Sequence, residues 1–214
     1  MFTIFVTTIV VFFLLLALIE LIHKHGKLEE YVTRKLAHAG AGLIFLLLPL
    51  RFDGPAIALM ALAFTLGLFI SHRSGRFSIH RRDRETLGEY YYPLALGLAA
   101  AILLPFGDVR AYSFAVIVLA FGDGLAELVG RGWGTHPIRF VHTRKTWEGS
   151  LTLFLTSFIA FLFLVPTISL ATVVSDLLIS CALTYVEMEM GRGLDNLILP
   201  LLAGGLYLFL TNLF

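Results

Sequence analysis

Residues 142–166 read HTRKTWEGSLTLFLTSFIAFLFLVP, a polar segment followed directly by an apolar one. Its second part, LTLFLTSFIAFLFLVP at 151–166, is apolar apart from hydroxyl side chains. A continuous apolar run of this kind predicts a helix that crosses a membrane. Its first part, HTRKTWEGS at 142–150, places cations, hydroxyls and a carboxylate directly before that helix. We therefore expect a membrane protein that gathers polar chemistry at the end of a spanning helix.

The composition of the whole chain agrees with a membrane setting. The 214 residues are 58% hydrophobic and 14% charged, whereas a soluble domain carries about 25% charged residues. We predict an all-α integral membrane protein: one polytopic domain over residues 1–214, built as a bundle of about eight transmembrane helices. The predicted spans are 2–22, 36–50, 55–71, 90–106, 109–130, 150–166, 168–190 and 194–213.

The distribution of positive charge predicts the orientation of these spans. Fourteen of the 16 basic residues fall in the loops after spans one, three, five and seven, whereas the intervening turns hold Arg51 and Arg110. Because positive charge marks the cytoplasmic side, both termini are expected outside. Every motif-like stretch lies in the same four cytoplasmic loops. This sorting predicts an active site on the cytoplasmic face.

Two carboxylates near the end of the fifth span are candidate metal ligands. Asp123 and Glu127 in FGDGLAELVG are four residues apart and therefore share one helix face. An ionised carboxylate inside a hydrophobic run needs a cation, water or a metal. Mg²⁺ is held by one or two carboxylates together with phosphate oxygens. Ion pairs that fasten neighbouring helices are the alternative explanation.

The KTWEGS segment is a candidate phosphate site. Thr146 or Ser150 can cap the sixth helix, which is a purely structural role. A helix N-terminus with free N–H groups beside Arg144 and Lys145 is also suited to an anion. Cations, hydroxyls and a nearby metal carboxylate are what a nucleoside triphosphate requires.

Further candidates lie in the other cytoplasmic loops. Arg34, Lys35 and His38 stand at the entrance of span two, with Arg34 and His38 on one helix side. Glu187 ends span seven. At the start of span eight are Asp195, a candidate N-cap, and Asn196. Glu89 heads span four and is a weaker candidate. Asp176, nearer the outer end of span seven, is expected to form a hydrogen bond between helices, outside the site.

These motifs together resemble the dolichol kinase and phytol kinase family. RKLAHAGAG, TLGEYYYPLA, GDGLAELVGRGWG, KTWEGS and the late GLDNLILP occur in the order seen in that family. The pair formed by GDGLAELVG and KTWEGS also resembles part of the phosphatidate cytidylyltransferases. Their C-terminal signature does not occur in this sequence, which ends in GLDNLILP as the kinases do.

The resemblance implies an enzyme that transfers the γ-phosphate of CTP to a membrane-embedded isoprenoid alcohol such as phytol, a polyprenol or dolichol, with Mg²⁺ as cofactor. It makes Asp123 the metal carboxylate, with Glu127 as a second candidate. The residues expected around the nucleotide are Arg34, Lys35, Arg131, Arg144, Lys145, Thr146, Gly149 and Ser150. His38, Glu148 and Glu187 are the candidates for accepting the hydroxyl proton.

Other classes of protein fit the sequence less well. A transporter places ionisable residues near the membrane midplane in repeated halves, and no repeat is visible. A non-catalytic lipid-binding or scaffolding protein has no use for a carboxylate pair opposite a cationic helix mouth. Cytidylyl transfer to a lipid stays open as the alternative within enzymes. A nucleic-acid partner is not expected.

Overall fold

The computed structural model describes residues 2–26, 28–74, 87–106, 108–141, 143, 145–191 and 193–212. Their helices are α1 (Phe2–Gly26), α2 (Glu30–Leu47), α3 (Gly54–Ser74), α4 (Gly88–Leu103), α5 (Val109–Ile117), α6 (Gly124–Gly132), α7 (Trp147–Leu164), α8 (Leu170–Glu189) and α9 (Asp195–Thr211). The π-helical segment Val118–Asp123 joins α5 to α6, and 3-10 turns follow α2 and α4. No strand forms within these ranges, so the all-α prediction is confirmed.

Within the described ranges, six helical segments are long and apolar enough to cross a membrane. They are Thr3–Gly26, Gly54–His72, Gly88–Phe106, Val109–Gly132, Trp147–Leu164 and Leu170–Glu189. The helix Asp195–Thr211 is apolar but shorter. These helices make the chain a multi-pass membrane protein, whereas the count of eight spans and the position of the termini stay predictions.

Helix α2 begins earlier than the predicted second span. It starts at Glu30 rather than at residue 36, so Arg34, Lys35 and His38 all lie within the helix. This polar first half explains why α2 is not among the six apolar segments. The same extension carries two cations and an imidazole into the bundle.

Buried aromatic residues pack in the centre of the bundle, and two of the tyrosines form hydrogen bonds between helices. Tyr112 Oη donates to the Phe45 carbonyl at 3.1 Å, and Tyr207 Oη donates to the Leu164 carbonyl at 2.8 Å. Both tyrosines are fully buried. In a bilayer such hydroxyls need a partner inside the protein. These bonds therefore fix how α5 meets α2 and how α9 meets α7.

Asp176 does not form the expected bond between helices. Its side chain is fully buried in α8, and its Oδ1 accepts a hydrogen bond from Ser180 Oγ one turn along the same helix, at 3.1 Å. Its Oδ2 has no partner among the described residues. The prediction of an interhelical bond was therefore wrong for this residue.

Candidate active site

A polar cavity of about 1020 Å³ opens at one end of the bundle. Helices α2, α4, α6, α7, α8 and α9 all contribute to its wall. Its volume lies at the upper end of the range for small-molecule sites. The ionisable wall residues are Arg34, Lys35, His38, Glu89, Asp123, Glu127, Arg131, Lys145, Glu187, Glu189 and Asp195. The structure thus brings motifs from the whole length of the chain to one place.

A network of ion pairs joins α2 to the π-helical segment Val118–Asp123 and to α6. Lys35 Nζ lies 2.6 Å from Asp123 Oδ2 and 3.0 Å from Glu127 Oε2. Arg34 and Arg131 approach Glu127 Oε1 to 2.6 Å and 2.9 Å. Cations therefore contact both carboxylate oxygens of Glu127, whereas the ion pair of Asp123 involves its Oδ2. Glu127 fits the metal-ligand prediction poorly for this reason.

The π-helical segment Val118–Asp123 sets the direction of Asp123, which is its last residue. A π-helical turn inserts an extra residue into the helical repeat and rotates the residues after it, and such turns occur often at functional sites. Asp123 is only 3% exposed, yet it lines the cavity. The apolar run of the fifth predicted span does not reveal this π-helical segment. Its signal is limited to the glycines on either side of Asp123.

Close packing accounts for the glycines where α6 meets α7. A Cβ added at Gly149 would lie 2.8 Å from the Ala126 carbonyl oxygen, and one at Gly134 would lie 2.2 Å from the Gly130 carbonyl oxygen. Neither distance is sterically possible, so both positions require glycine. The glycines bring Thr146 and Gly149 to the cavity wall beside Gly130.

The N-terminus of α7 is already capped. Thr146 Oγ1 accepts a hydrogen bond from Gly149 N at 3.3 Å, and Trp147 N donates to the His136 carbonyl at 3.0 Å. The capping role of Thr146 is therefore confirmed. The prediction of free N–H groups for an anion was wrong at these two positions.

A second, partly buried ion pair joins Lys145 to α8. Lys145 Nζ donates to Glu187 Oε1, and Thr143 Oγ1 donates to the Met188 carbonyl. Burial lowers the pKa of the Lys145 ammonium, but the carboxylates of Glu187 and Asp123 raise it by more, so the pKa lies above the ordinary lysine value. Lys145 is therefore a permanent cation at neutral pH.

Two of the buried polar atoms on the cavity wall near Lys145 have no hydrogen-bond partner among the described residues. They are Glu187 Oε2 and Ser150 Oγ. Buried polar atoms are satisfied by protein, water or a ligand in almost all proteins. Glu187 contacts Lys145 through its other carboxylate oxygen, and Ser150 lies five residues after Lys145 in the chain. This part of the wall is therefore suited to a polar ligand.

A close contact between α4 and the start of α9 completes the wall. Gly193 has φ +87°, and an added Cβ would lie 2.5 Å from Gly88 Cα. Asn196 Nδ2 donates to the Gly88 carbonyl at 2.8 Å. Asp195 is the first residue of α9, and Leu194 is its N-cap, so the N-cap prediction for Asp195 was wrong. Its carboxylate lines the cavity instead.

Glu148 does not line the cavity. Its Oε1 accepts hydrogen bonds from Thr135 Oγ1 at 2.8 Å and from the Thr135 amide at 3.1 Å, and lies 2.7 Å from His136 Nδ1. These contacts fasten Thr135 and His136 to α7. They give Glu148 a structural role, and its catalytic role stays a prediction.

Of the remaining predicted site residues, two line the cavity and one lies outside the described residues. His38 and Glu89 line the cavity, and Glu89 Oε1 lies 2.8 Å from His72 Nδ1. Arg144, a predicted nucleotide ligand, lies outside the described residues. No group of three His, Cys, Asp or Glu residues in the described ranges is arranged to hold a metal by itself.

Comparison with known proteins relates the chain to several isoprenoid alcohol kinases. It is 32% identical to the phytol kinase of Synechocystis sp. over 187 residues, which cover 85% of this chain and 80% of that protein. It is 31% identical to the chloroplastic phytol kinase 1 of Arabidopsis thaliana and 32% identical to the chloroplastic farnesol kinase of the same plant. Each of these two alignments covers 65% of this chain and 49% of the plant protein.

The chain thus spans about half the length of these plant relatives. No family model and no solved structure matches it.

Proposed function

Because the chain belongs to the phytol and polyprenol kinase family, we propose that it transfers the γ-phosphoryl group of CTP to the hydroxyl of an isoprenoid alcohol. The main support for this proposal is that Asp123, Lys145 and Glu187 line one cavity at the end of apolar helices. Relatives named phytol kinase and farnesol kinase support the alcohol as acceptor. CTP as donor rests on the motif resemblance.

Lys145 is the side chain best suited to the phosphates. Its ammonium has three donors, of which Glu187 Oε1 uses one. The Ser150 hydroxyl, which has no partner in the described part of the chain, lines the same cavity, as do Arg34 and Arg131. Lys35 is 4% exposed and already serves Asp123 and Glu127. We therefore assign Lys35 the task of holding Asp123 in place.

The cavity wall fits a magnesium ion. Asp123 and Glu187 offer carboxylate oxygens, the donors that Mg²⁺ prefers, and Glu187 Oε2 is buried without a partner in the described part of the chain. Bound with the nucleotide, Mg²⁺ would neutralise the charge of the phosphates. Asp123 and Glu187 would hold it, with Asp195 on the same wall. Glu127, whose oxygens are engaged by three cations, is left out of this set.

The reaction is an in-line displacement at the γ-phosphorus. The alcohol oxygen forms a bond to that phosphorus, the bond from the phosphorus to the β–γ bridging oxygen breaks, and CDP leaves. The hydroxyl proton passes to a base on the enzyme or to solvent. Positioning and charge neutralisation supply most of the catalysis, and Lys145 contributes a fixed positive charge beside the transferred group.

We place this cavity on the cytoplasmic face, where nucleotide is available. The bias of basic residues toward the loops at this end supports that orientation. The alcohol reaches the cavity laterally from the bilayer, with its hydroxyl at the level of the headgroups.

Product analysis tests the proposal. Purified protein in detergent with MgCl₂ would be given CTP, ATP, GTP or UTP in turn, with phytol, geranylgeraniol, dolichol or diacylglycerol as acceptor. Mass spectrometry should detect an isoprenoid monophosphate and an equal amount of CDP. Asp123→Asn protein, checked for folding, is the control. Absence of a monophosphate from every isoprenoid alcohol with every nucleotide would refute the proposed activity.

A further inference from the structure

A second, apolar cleft adjoins the polar cavity. Its wall comes from α1, α2, α3 and α4, and its apolar members are Phe12, Leu16, Ala37, Ala41, Leu68, Tyr92 and Pro93. Three residues, Arg34, His38 and Glu89, line both spaces. The two spaces therefore meet at these side chains, with charge on one side and hydrocarbon on the other.

The imidazole of His38 lies at the junction of the two spaces. His38 is 8% exposed, and its Nδ1 has no hydrogen-bond partner among the described residues. Its ring packs on Tyr92 with centroids 4.2 Å apart, and Tyr92 Oη donates to the His38 carbonyl at 2.6 Å. The ring is thus held in place, while one of its nitrogens is left for a ligand.

The cleft extends from the polar end of α2 into the bundle. From Arg34 to Ala41 its lining residues span seven positions of one helix, which is about 10 Å along the axis. Glu89 and Arg34 lie at its polar end, and Phe12 and Ala41 lie deeper. Helix α1, which forms one side, exposes Leu14 and Leu18 on its outer surface. The cleft is therefore bounded toward the lipid by a single peripheral helix.

We propose that this cleft receives the isoprenoid tail of the alcohol and that His38 accepts a hydrogen bond from its hydroxyl at the junction with the polar cavity. The proposal rests on the proposed function for the identity of the ligand. An amphiphile with one hydroxyl and a branched apolar tail matches the change from charged to apolar lining over about two turns of α2. The cleft volume is about 40 Å³, so the tail enters by moving the side chains of Phe12 and Leu16 aside.

Photocrosslinking tests the location of the tail directly. A farnesol analogue with a diazirine on the isoprene unit next to the hydroxyl would be irradiated with the whole protein in nanodiscs without nucleotide. Mass spectrometry should place the adducts on α1–α4 at Phe12, Leu16, Ala41 or Leu68, and excess unlabelled phytol should remove most of them. Adducts confined to other helices, or adducts that phytol does not reduce, would overturn the proposal. Because no phosphoryl transfer is needed, this result is independent of the kinase activity.

A pair of matched substitutions tests the same site through kinetics. Ala41→Leu narrows the cleft, and Ala182→Leu adds the same atoms on an exposed face of α8. Ala41→Leu should raise KM for the alcohol about tenfold and leave KM for the nucleotide unchanged. Ala182→Leu should change neither constant. An equal rise of both KM values in Ala41→Leu, or an unchanged KM for the alcohol, would contradict the proposal.

The role of His38 needs its own comparison. His38→Leu should lower kcat/KM for the alcohol about tenfold or more, whereas His38→Asn, which keeps a polar atom near the Nδ1 position, should recover part of the loss. Equal losses in both variants at equal folded fraction would remove the hydroxyl contact from the proposal.

Discussion

The Lys35 ammonium lies 2.6 Å from Asp123 Oδ2, and the two side chains are only 4% and 5% exposed. The pair joins α2 to the π-helical segment across 88 positions of the chain. A buried carboxylate is costly without its cation. The proposed metal ligand is therefore also part of the structure, and activity alone cannot separate its two roles.

A double-mutant comparison separates the structural role of Asp123 from its proposed role as a metal ligand. Lys35→Met leaves the Asp123 carboxylate without its nearest cation and should destabilise the fold by about 3–5 kcal/mol. Asp123→Asn should cost less, because Lys35 keeps Glu127 at 3.0 Å. The double variant should melt at a higher temperature than Lys35→Met and still have no turnover. Recovered turnover in the double variant would show that Asp123 acts only through the ion pair.

The magnesium dependence of turnover should distinguish the carboxylates. Asp123→Asn should lose two to three orders of magnitude in turnover, about 3–4 kcal/mol of transition-state stabilisation. Glu187→Gln should shift the half-maximal Mg²⁺ concentration upward. Glu127→Gln should leave that concentration unchanged, because its carboxylate oxygens contact Arg34, Lys35 and Arg131. A shift for Glu127→Gln as large as that for Glu187→Gln would return Glu127 to the metal site.

Lys145 and Glu148 lie three residues apart and should behave in opposite ways. Lys145→Ala removes a cation from the cavity and should lower turnover per folded molecule by about 10²–10³. Glu148→Gln weakens the contacts to Thr135 and His136 and should lower the melting temperature while turnover per folded molecule stays near that of the wild type. Turnover normalised to monodisperse protein, measured together with melting curves, checks both. A catalytic defect in well-folded Glu148→Gln would restore the catalytic role predicted from the sequence.

Much of the site could be predicted from sequence because charge and spacing act locally. The bias of basic residues and the position of every motif at one end of the helices predicted a one-sided site. The Arg34 and His38 spacing of four predicted a shared face, and both residues line the cavity. The cap at Thr146 was also visible, because a β-hydroxyl before a helix is a local signal.

The remaining features depend on contacts between distant residues. The partners of Glu148 are Thr135 and His136, which precede α7 in the chain, and the three cations around Glu127 come from two helices. The π-helical segment before Asp123 reflects the packing of its surroundings. Asp195 lines the cavity rather than capping α9, because Gly193 turns the chain with a positive φ just before it. The spacing of residues in the sequence does not predict these contacts.

Cysteine labelling tests the orientation in the membrane. Cys181 is the only cysteine in the sequence, so Cys181→Ser provides a cysteine-free background. Thr167→Cys, in the exposed turn between α7 and α8, should react with an impermeant maleimide in intact cells. Arg139→Cys, exposed between α6 and α7, should react only after the cells are permeabilised, because positive charge marks the cytoplasmic side. The reverse pattern would put the cavity on the outer face.

The fate of the individual phosphates of CTP distinguishes a kinase from a cytidylyltransferase. Purified protein with Mg²⁺ and phytol or farnesol would be given CTP labelled at the γ-phosphate and, in parallel, CTP labelled at the α-phosphate. We predict that label enters the lipid phase from the γ position and that none enters from the α position. Label entering the lipid from the α position would mean that a cytidylyl group is transferred, and would contradict the assignment of this cavity to an alcohol kinase.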